Sequence, residues 1–366
     1  MKYRVLWWGG VLSEEEKSNL IHNTDICWIN ESIAIDPDGV NKETVQEVIR
    51  SGAGILGMAV NGTNLWWPTS DYWPLQKAMA QWAERSGGWL TTASGLNISN
   101  WVGTRCMDLT APGLQDAWVE KIIGPLLDIR AWASWFVDQV EGEATFRQWW
   151  SRLGPIPLYY WETPEGEPMI PTAREIRSLD QAAKQYTGSM RRLLRQLGKN
   201  ARRPLITNGT MDVLPIDLGR YEERVIEGNS NGNLWLPQYA TATLSRLHDD
   251  WDHMPRPGDS HGMVGGGWWG AQSGPTWERF LRILHGLAAS FGVGVNIRLG
   301  GVYSNVITPP WAFTDPYPDP TVGRTIMHSG NTNLVRFDGR RLMLAVNLSH
   351  DTAFMGIPPM DARWVE

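Results

Sequence analysis

Short apolar segments alternate with amphipathic helical patterns along most of the chain, and this alternation constrains the fold more than any other feature. Strands buried on both faces of a parallel sheet are continuous apolar runs, whereas helices repeat their apolar residues every three to four positions. We predict strands at Tyr3–Trp8, Asp25–Asn30, Gly54–Val60, Ser134–Asp138, Pro204–Asn208, Arg224–Glu227, Gly262–Gly266 and Gly292–Ile297. This order predicts an α/β fold, a (β/α)8 TIM barrel, although a doubly wound parallel sheet has the same periodicity.

Several of the intervening helices carry start signals. Ser13 and Glu16 have the spacing of a capping box, in which each side chain accepts a hydrogen bond from the other residue's backbone N–H. Asn41 is placed to cap the helix Lys42–Arg50. Further helices are predicted at Tyr72–Arg85, from Pro112 through Leu127, at Ser178–Leu197, at Ala240–Trp251 and at Thr276–Phe291. Gly88–Ala93 with the turn at Ser94-Gly95 indicates a hairpin insertion.

The composition changes in the carboxyl-terminal part of the chain. Pro309–Pro320 is rich in proline, which is typical of a connecting segment. After it, the β-like segments Asn333–Phe337 and Arg341–Asn347 are joined by the turn at Asp338-Gly339. The predicted domains are therefore a barrel over residues 1–308 and, over residues 309–366, the Pro-rich connection with a small antiparallel β annex.

Composition and charge exclude several classes of partner. The net charge is −6, and the short basic runs near residues 190–195 and 201–203 accompany helical periodicity, which argues against a nucleic-acid partner. The sequence contains no apolar stretch long enough to cross a membrane, so no membrane partner is predicted. The first residues run directly into a strand without an apolar leader. We therefore expect a cytoplasmic protein, or a virion-associated or extracellular one without a cleaved leader.

Acidic residues follow two of the predicted strands. The segment Ala133–Glu143 is apolar up to Asp138 and then continues to Glu141 and Glu143, and the segment before Gly228 ends at Glu227. Catalytic groups of parallel α/β barrels lie at the carboxyl ends of the strands. Two carboxylates there favour glycosidic-bond hydrolysis, with Asp138 as nucleophile or stabilising carboxylate and Glu227 as acid/base. The alternatives are a helix cap or an arginine partner for Asp138, and an ion pair with Arg220 or Arg224 for Glu227.

Tryptophan is unusually frequent, with 22 residues against 7 Phe and 9 Tyr. Most of these rings are expected to fill the core. Indole faces also stack on sugar rings while the N–H donates a hydrogen bond. The tryptophans in predicted loops are therefore candidates for a sugar-binding cleft, namely Trp66, Trp67, Trp268 and Trp269.

Further polar residues follow the same ends of the predicted strands. Asn208 precedes Gly209, which would let a sugar approach the backbone, and Arg298 on the last strand could bind hydroxyl or carboxylate groups. Asn30, Glu31 and Asn61 follow the second and third strands, where loop polarity alone would also explain them. The acidic and histidine-containing run at residues 248–253 lacks a recognised ligand spacing. No metal and no cofactor is therefore predicted.

The order of several short motifs resembles that of a group of TIM-barrel glycoside hydrolases. This group is related to the endo-α-1,4-polygalactosaminidase-like proteins and to hypothetical glycosyl hydrolases. The matching segments are Trp101–Pro112, Trp135–Gln139, Asn208–Thr210, Glu227-Gly228, Leu334–Gly339 and Leu344–Asn347.

The resemblance implies that the two family acids correspond to Asp138 and Glu227. It also implies that Asp108 matches a recurring aspartate, which has either a substrate-binding or a structural role. Relatives often have a second aspartate shortly after the first. In this chain Glu141 or Glu143 would have to take that place.

The leading functional hypothesis is a glycoside hydrolase that acts on a polysaccharide or oligosaccharide. One alternative is a catalytically inactive carbohydrate-binding or virion (phage) structural protein on the same barrel, with virion or homo-oligomer assembly through its tryptophans. An isomerase or lyase barrel is a third alternative, but it should carry a metal or phosphate site that the sequence does not show.

Overall fold

The computed structural model describes residues 3–7, 11–35, 39, 41–51, 55–66, 73–92, 94–99, 103–130, 132–140, 147, 159–160, 172–173, 179–201, 205–209, 219–222, 227–228, 234–235, 263–264, 267–268, 274–291, 294–299, 322–329, 332–348, 356–359 and 361–366. Contacts divide the chain into two compact units. The first unit comprises Met1–Cys27, Thr44–Ile55 and Ile216–Glu366, and the second comprises Trp28–Glu43 and Leu56–Pro215.

Helices and strands alternate through the first two thirds of the described chain. The helices are α1 (Glu14–Asn23), α2 (Glu31–Ile35), α3 (Lys42–Ser51), α4 (Pro74–Ser86), α5 (Leu114–Trp118), α6 (Gly124–Ile129), α7 (Leu179–Ala201) and α8 (Gly274–Phe291). The strands are β1 (Tyr3–Trp7), β2 (Thr24–Ile29), β3 (Ile55–Asn61), β4 (Asn64–Trp66), β5 (Thr104–Cys106), β6 (Trp135–Val140), β7 (Tyr159–Tyr160), β8 (Thr172–Ala173), β9 (Leu205–Gly209), β10 (Gly219–Glu222), β11 (Glu227–Gly228), β12 (Leu234–Trp235), β13 (Met263–Val264), β14 (Gly267–Trp268), β15 (Gly294–Leu299), β16 (Arg324–Ser329), β17 (Thr332–Phe337), β18 (Met343–Asn347) and β19 (Asp361–Val365).

Parallel strands form the centre of each unit. In the second unit, β3 pairs in parallel with β6, and β6 pairs in parallel with β9. In the first unit, β15 lies between β1 and β13, and β13 also pairs with β10, all in parallel. A mixed α/β fold with parallel sheet is therefore confirmed. The finer choice between a barrel and a doubly wound sheet stays a prediction.

The predicted sixth strand is wrong in its position. The strand that pairs with β13 is β10, which ends at Glu222 rather than at Glu227. Glu227 begins β11, which pairs antiparallel with β12 and parallel with β14 in a separate sheet. The segments that end at Glu222 and at Glu227 are both short and both have a β-like pattern. Their sequences therefore do not specify which of the two pairs with β13.

The helix predicted from Pro112 through Leu127 is interrupted. Residues Val119–Ile123 between α5 and α6 form a π-helical turn, in which the N–H of Gly124 donates to the carbonyl of Val119. Pro125 follows at once, has no N–H, and its ring clashes with the carbonyl four residues earlier in a regular α-helix. The wider turn removes that clash, so the proline accounts for the π-helical segment.

The capping box of α1 and the burial of several tryptophan rings are as predicted. The N–H of Glu16 donates to Ser13 Oγ at 3.2 Å and the N–H of Ser13 donates to Glu16 Oε2 at 2.7 Å, which confirms the capping box of α1. Cys27 is buried, and burial raises the pKa of its thiol. Five tryptophans are among the largest fully buried side chains of the described residues, namely Trp7, Trp28, Trp118, Trp132 and Trp135. None of the described helices is long and apolar enough to cross a membrane.

The predicted antiparallel annex is confirmed and is larger than the sequence indicated. The segments β17 and β18 pair as expected around the turn that contains Gly339, whose φ is 75°. The strands β16 and β19 extend the sheet on either side. One face of this sheet packs on α8. Asp361 is buried and accepts hydrogen bonds from Arg282 Nε of α8 at 3.0 Å and from Arg363 Nε at 2.9 Å.

The Gly286→Ala substitution tests this packing. A Cβ at Gly286 would lie 2.8 Å from Val346 Cγ2 and 2.9 Å from Ala362 Cβ, so α8 and the sheet must move apart. Overpacking of this kind costs about 1–3 kcal/mol, whereas alanine gains only about 1 kcal/mol in helix propensity. We expect a lower free energy of unfolding in urea. The control Gly188→Ala, whose Cβ meets nothing closer than 3.7 Å, should not be destabilised. Equal stability of both variants would contradict the packing described.

Candidate functional site

The strands of the second unit have two different faces. A Cβ at Gly198 of α7 would lie 3.6 Å from Leu205 Cδ1, so Leu205 points toward this helix. Leu205 is in register with Trp135, and Trp135 with Met58, so these side chains share the helix-covered face. The alternate residues of β3 and β6 therefore point to the opposite face.

Large rings fill this opposite face at mid-strand. Trp28 Nε1 donates a hydrogen bond to Ser134 Oγ at 3.3 Å, and the Trp28 ring contacts the Phe136 ring with centroids 6.2 Å apart. Gly57 makes room for the indole, because a Cβ there would lie 2.3 Å from Trp28 Cδ1. The cluster closes the middle of this face and leaves polar residues at the carboxyl ends of the strands.

Asp138 lies at this carboxyl end, on the same face as Phe136. It is in register with Asn61, the last residue of β3. The Asp138 side chain is half-buried, whereas Val137 before it is fully buried. Asp138 is therefore a carboxylate that solvent reaches, held on a rigid strand. The sequence predicted the strand to end at Asp138, whereas it continues two residues further, to Val140.

The backbone around Asp138 is irregular. The pairing of β6 with β9 runs from Trp135 to Val137, then resumes at Val140 opposite Gly209 with a shift in register. Gln139 has a φ of 54° and is the single non-glycine residue with positive φ among the described residues. Its N–H donates to Asp138 Oδ1 at 3.0 Å. Irregularities of this kind re-aim side chains and are frequent next to active sites.

Glu31 follows β2, the neighbour of β3, and is only 3% exposed. Its Oε1 accepts hydrogen bonds from the N–H groups of Leu75 at 2.8 Å and Gln76 at 3.1 Å, in the first turn of α4. The residue before α4, Trp73, makes no side-chain cap, so Glu31 caps this helix from a distant part of the sequence. Burial raises the pKa of Glu31 to about 7, against the lowering effect of the two N–H donors.

The raised pKa predicts a pH-dependent stability. Because the folded-state pKa is about 7 against an ordinary value of 4.5, Glu31 disfavours folding as pH rises from about 4.5 to 7. The free energy of unfolding should fall by about 3 kcal/mol over this range, at 1.36 kcal/mol per pKa unit. Urea unfolding at pH 5, 7 and 8.5 measures it. Glu31→Gln should flatten the dependence, while the exposed-site control Glu84→Gln should keep it. An unchanged slope in Glu31→Gln would contradict the assignment.

Asp108 holds a turn. It is 1% exposed, and its Oδ1 accepts hydrogen bonds from Thr110 N at 2.9 Å and Thr110 Oγ1 at 2.6 Å. This arrangement orders the chain just before α5. Of the two roles implied by the resemblance, the structural one fits this burial, because a polysaccharide does not reach an enclosed carboxylate.

The remaining candidates are distributed over both units. Asn208 lies in β9 next to Gly209, and Trp66 lies in β4, paired with Thr104 of β5. In the first unit, Arg298 of β15 pairs with Leu6, and Trp268 of β14 pairs with Gly228. Glu141, Trp67 and Trp269 lie outside the described residues.

Two features of the site have no clear sequence signal. Gln139 occupies a left-handed conformation that sequence rules assign to Gly, Asn or Asp. Glu31 was one of several polar residues after a strand, and nothing in its spacing to residues 75 and 76 indicated a cap. Within the described part of the chain, no group of three or more His, Cys, Asp or Glu is arranged to hold a metal ion.

Comparison with known proteins gives only distant likenesses. No protein-family model matches the chain. No curated protein is similar to it. The glycoside hydrolase domain of PelA from Pseudomonas aeruginosa resembles it at a TM-score of 0.46, with 12% identity, over 83% of this chain and 95% of that chain.

Two further solved structures have a similar degree of likeness. The GH36 α-galactosidase AgaA from Geobacillus stearothermophilus gives a TM-score of 0.49 with 12% identity over 98% of this chain. The α-galactosidase from Lactobacillus brevis gives 0.49 with 11% identity over 97%. The match spans about half the length of each, 48% and 47%. These neighbours are glycoside hydrolases, but likenesses at this distance do not assign a family or an activity.

Proposed function

We propose that this protein is a glycoside hydrolase that cleaves a polysaccharide or oligosaccharide with a pair of carboxylates and no cofactor. The observation that carries the proposal is Asp138, a solvent-accessible carboxylate at the carboxyl end of a parallel strand, followed by a strained bulge. A (β/α)8 barrel over residues 1–308 with the annex over residues 309–366 is the proposed architecture. The parallel pairing inside each unit supports it.

The proposed chemistry uses two acidic residues with different roles. Asp138 acts as nucleophile or as the carboxylate that stabilises positive charge on the sugar. In a retaining mechanism, Glu227 protonates the leaving oxygen and afterwards activates water. The mechanism requires carboxyl groups about 5–5.5 Å apart for retention of configuration, or about 6.5–9.5 Å apart for inversion.

Substrate contacts are proposed from the same set of residues. Asn208 and Arg298 would bind sugar hydroxyls or a carboxylate, and Glu141 would assist Asp138. Trp66, Trp67, Trp268 and Trp269 would stack on sugar rings, as flat indoles do. The proposed partner is therefore a polysaccharide or oligosaccharide.

A panel of polysaccharides tests the proposal. The purified chain is incubated with neutral, acidic and amino-sugar polymers, and the release of reducing ends is measured together with binding by affinity electrophoresis. Hydrolysis of one polymer supports the proposal. Binding without hydrolysis favours the inactive carbohydrate-binding alternative. Assembly into particles without glycan binding favours the virion structural alternative.

A further inference from the structure

The end of β6 contains one more residue than the strand beside it. Between the pairs Val137/Thr207 and Val140/Gly209, β6 has two residues and β9 has one. On its other side β6 stays in register with β3 as far as Asp138, opposite Asn61. The extra residue is therefore a bulge toward β9 alone, located at Asp138 and Gln139.

The bulge requires a backbone conformation that glutamine does not favour. At a φ of 54°, Gln139 is in the left-handed region, where a residue with a Cβ is disfavoured because the Cβ comes too close to the backbone. Asparagine and aspartate relieve this strain with short side chains that bond locally, but glutamine is too long for it. The surrounding structure must therefore hold the conformation.

Gly62 contributes to this support. Its N–H donates to the carbonyl of Asp138 at 2.8 Å. A Cβ at Gly62 would lie 3.3 Å from the Asp138 carbonyl oxygen and 3.4 Å from that of Gln139. The backbone just after β3 thus approaches the bulge closely because residue 62 has no side chain.

The N–H of Gln139 contacts the Asp138 carboxylate. It donates a hydrogen bond to Asp138 Oδ1 at 3.0 Å, at the residue that has the left-handed conformation. A hydrogen bond from a backbone N–H to an ionised carboxylate is charge-assisted and fixes the orientation of the group.

We propose that Gln139 is a positioning residue whose left-handed backbone, rather than its side chain, orients the Asp138 carboxylate for reaction. This inference rests on the proposed glycosidase function of Asp138. A residue at position 139 that adopts the left-handed conformation easily should therefore keep the Asp138 carboxylate in place. A residue that resists this conformation should displace it.

Two substitutions of Gln139 separate the backbone from the side chain. Gln139→Gly removes the side chain and favours the left-handed conformation, so kcat and KM should stay within about twofold of the parent protein. Gln139→Val is β-branched and resists that conformation. Its kcat should fall about 10- to 100-fold at nearly constant KM, because the carboxylate is misplaced.

A second measurement does not depend on turnover. The carboxyl carbon of Asp138, labelled with ¹³C, is observed by NMR at one pH in the parent protein, Gln139→Gly and Gln139→Val. Its chemical shift, which reports the hydrogen bond to the carboxylate, should be unchanged in the glycine variant and displaced in the valine variant. Circular dichroism and urea unfolding check that each variant is folded.

The outcomes are distinct for the two proposals. Loss of activity or a changed Asp138 chemical shift in Gln139→Gly overturns the positioning role, because the side chain would then be what matters. An unchanged chemical shift in a folded Gln139→Val overturns it as well. If the parent protein hydrolyses no glycan, the glycosidase proposal fails, and the NMR comparison still decides whether the bulge orients the Asp138 carboxylate.

Discussion

The Asp138→Asn variant should lose about 10²- to 10⁴-fold in the rate of reducing-end release while it keeps its affinity for the glycan. The amide has nearly the same shape as the carboxylate but carries no negative charge, so it neither attacks the sugar nor stabilises the developing cation. The half-buried position of Asp138 makes a general loss of folding unexpected. Single-turnover assays and affinity electrophoresis with the polymer found in the panel measure the two quantities.

Matched variants make this prediction specific. Asp128 of α6 is exposed, so Asp128→Asn makes the same chemical change away from the site and should keep full activity. Glu227→Gln should also lose activity, but less on substrates with an acidic leaving group, which need no protonation. Glu222 ends β10 and is the comparison for it. If Glu222→Gln is inactive and Glu227→Gln is active, the acid/base role belongs to Glu222. Full activity of Asp138→Asn would end the glycosidase proposal.

The second large effect concerns the Trp28 and Phe136 rings, which lie at mid-strand on the same face as Asp138. Trp28→Ala should reduce the free energy of unfolding by about 3–5 kcal/mol, because it removes a fully buried indole together with its contacts to Phe136 and Ser134. Gly57→Ala should cost about 1–3 kcal/mol or more, since its Cβ would lie 2.3 Å from Trp28 Cδ1 and 2.6 Å from Nε1.

The double variant provides the sharper test. When Trp28 is alanine, a methyl group at residue 57 no longer meets the indole and partly fills the space it leaves. Trp28→Ala/Gly57→Ala should therefore be more stable than the sum of the single changes predicts, with a coupling energy of about 1–3 kcal/mol. Gly198→Ala of α7 is the control, since its Cβ meets Leu205 Cδ1 at an ordinary 3.6 Å. Additive effects in urea unfolding would show that Gly57 and Trp28 are not in contact.

The carboxyl end of β6 shows how far a strand pattern specifies a site. The apolar run that stops at Asp138 predicted a buried strand, and the strand is present, although it continues to Val140. The bulge that follows was not predictable, because Gln139 is not a residue that favours positive φ. Its conformation depends on the register of β6 with β9 and on the close approach of Gly62.

Glu227 shows where a prediction from a strand pattern fails. The same reasoning that located Asp138 assigned Glu227 to the end of a parallel strand, but the strand in the sheet is β10, which ends at Glu222. Short segments with few apolar residues leave register undetermined, and hydrogen bonding to the neighbouring strand chooses between them.

The sequence by itself determined the elements whose signals are local. These are the strand and helix alternation, the capping box of Ser13 and Glu16, the buried rings and the hairpin around Gly339. Only the tertiary structure decided which polar residues meet. Glu31 caps a helix that begins at Pro74, and the N–H of Gln139 turns onto Asp138 because neighbouring strands impose the bulge. Local patterns reflect each residue's own preferences, whereas these contacts arise from the positions of other strands and helices.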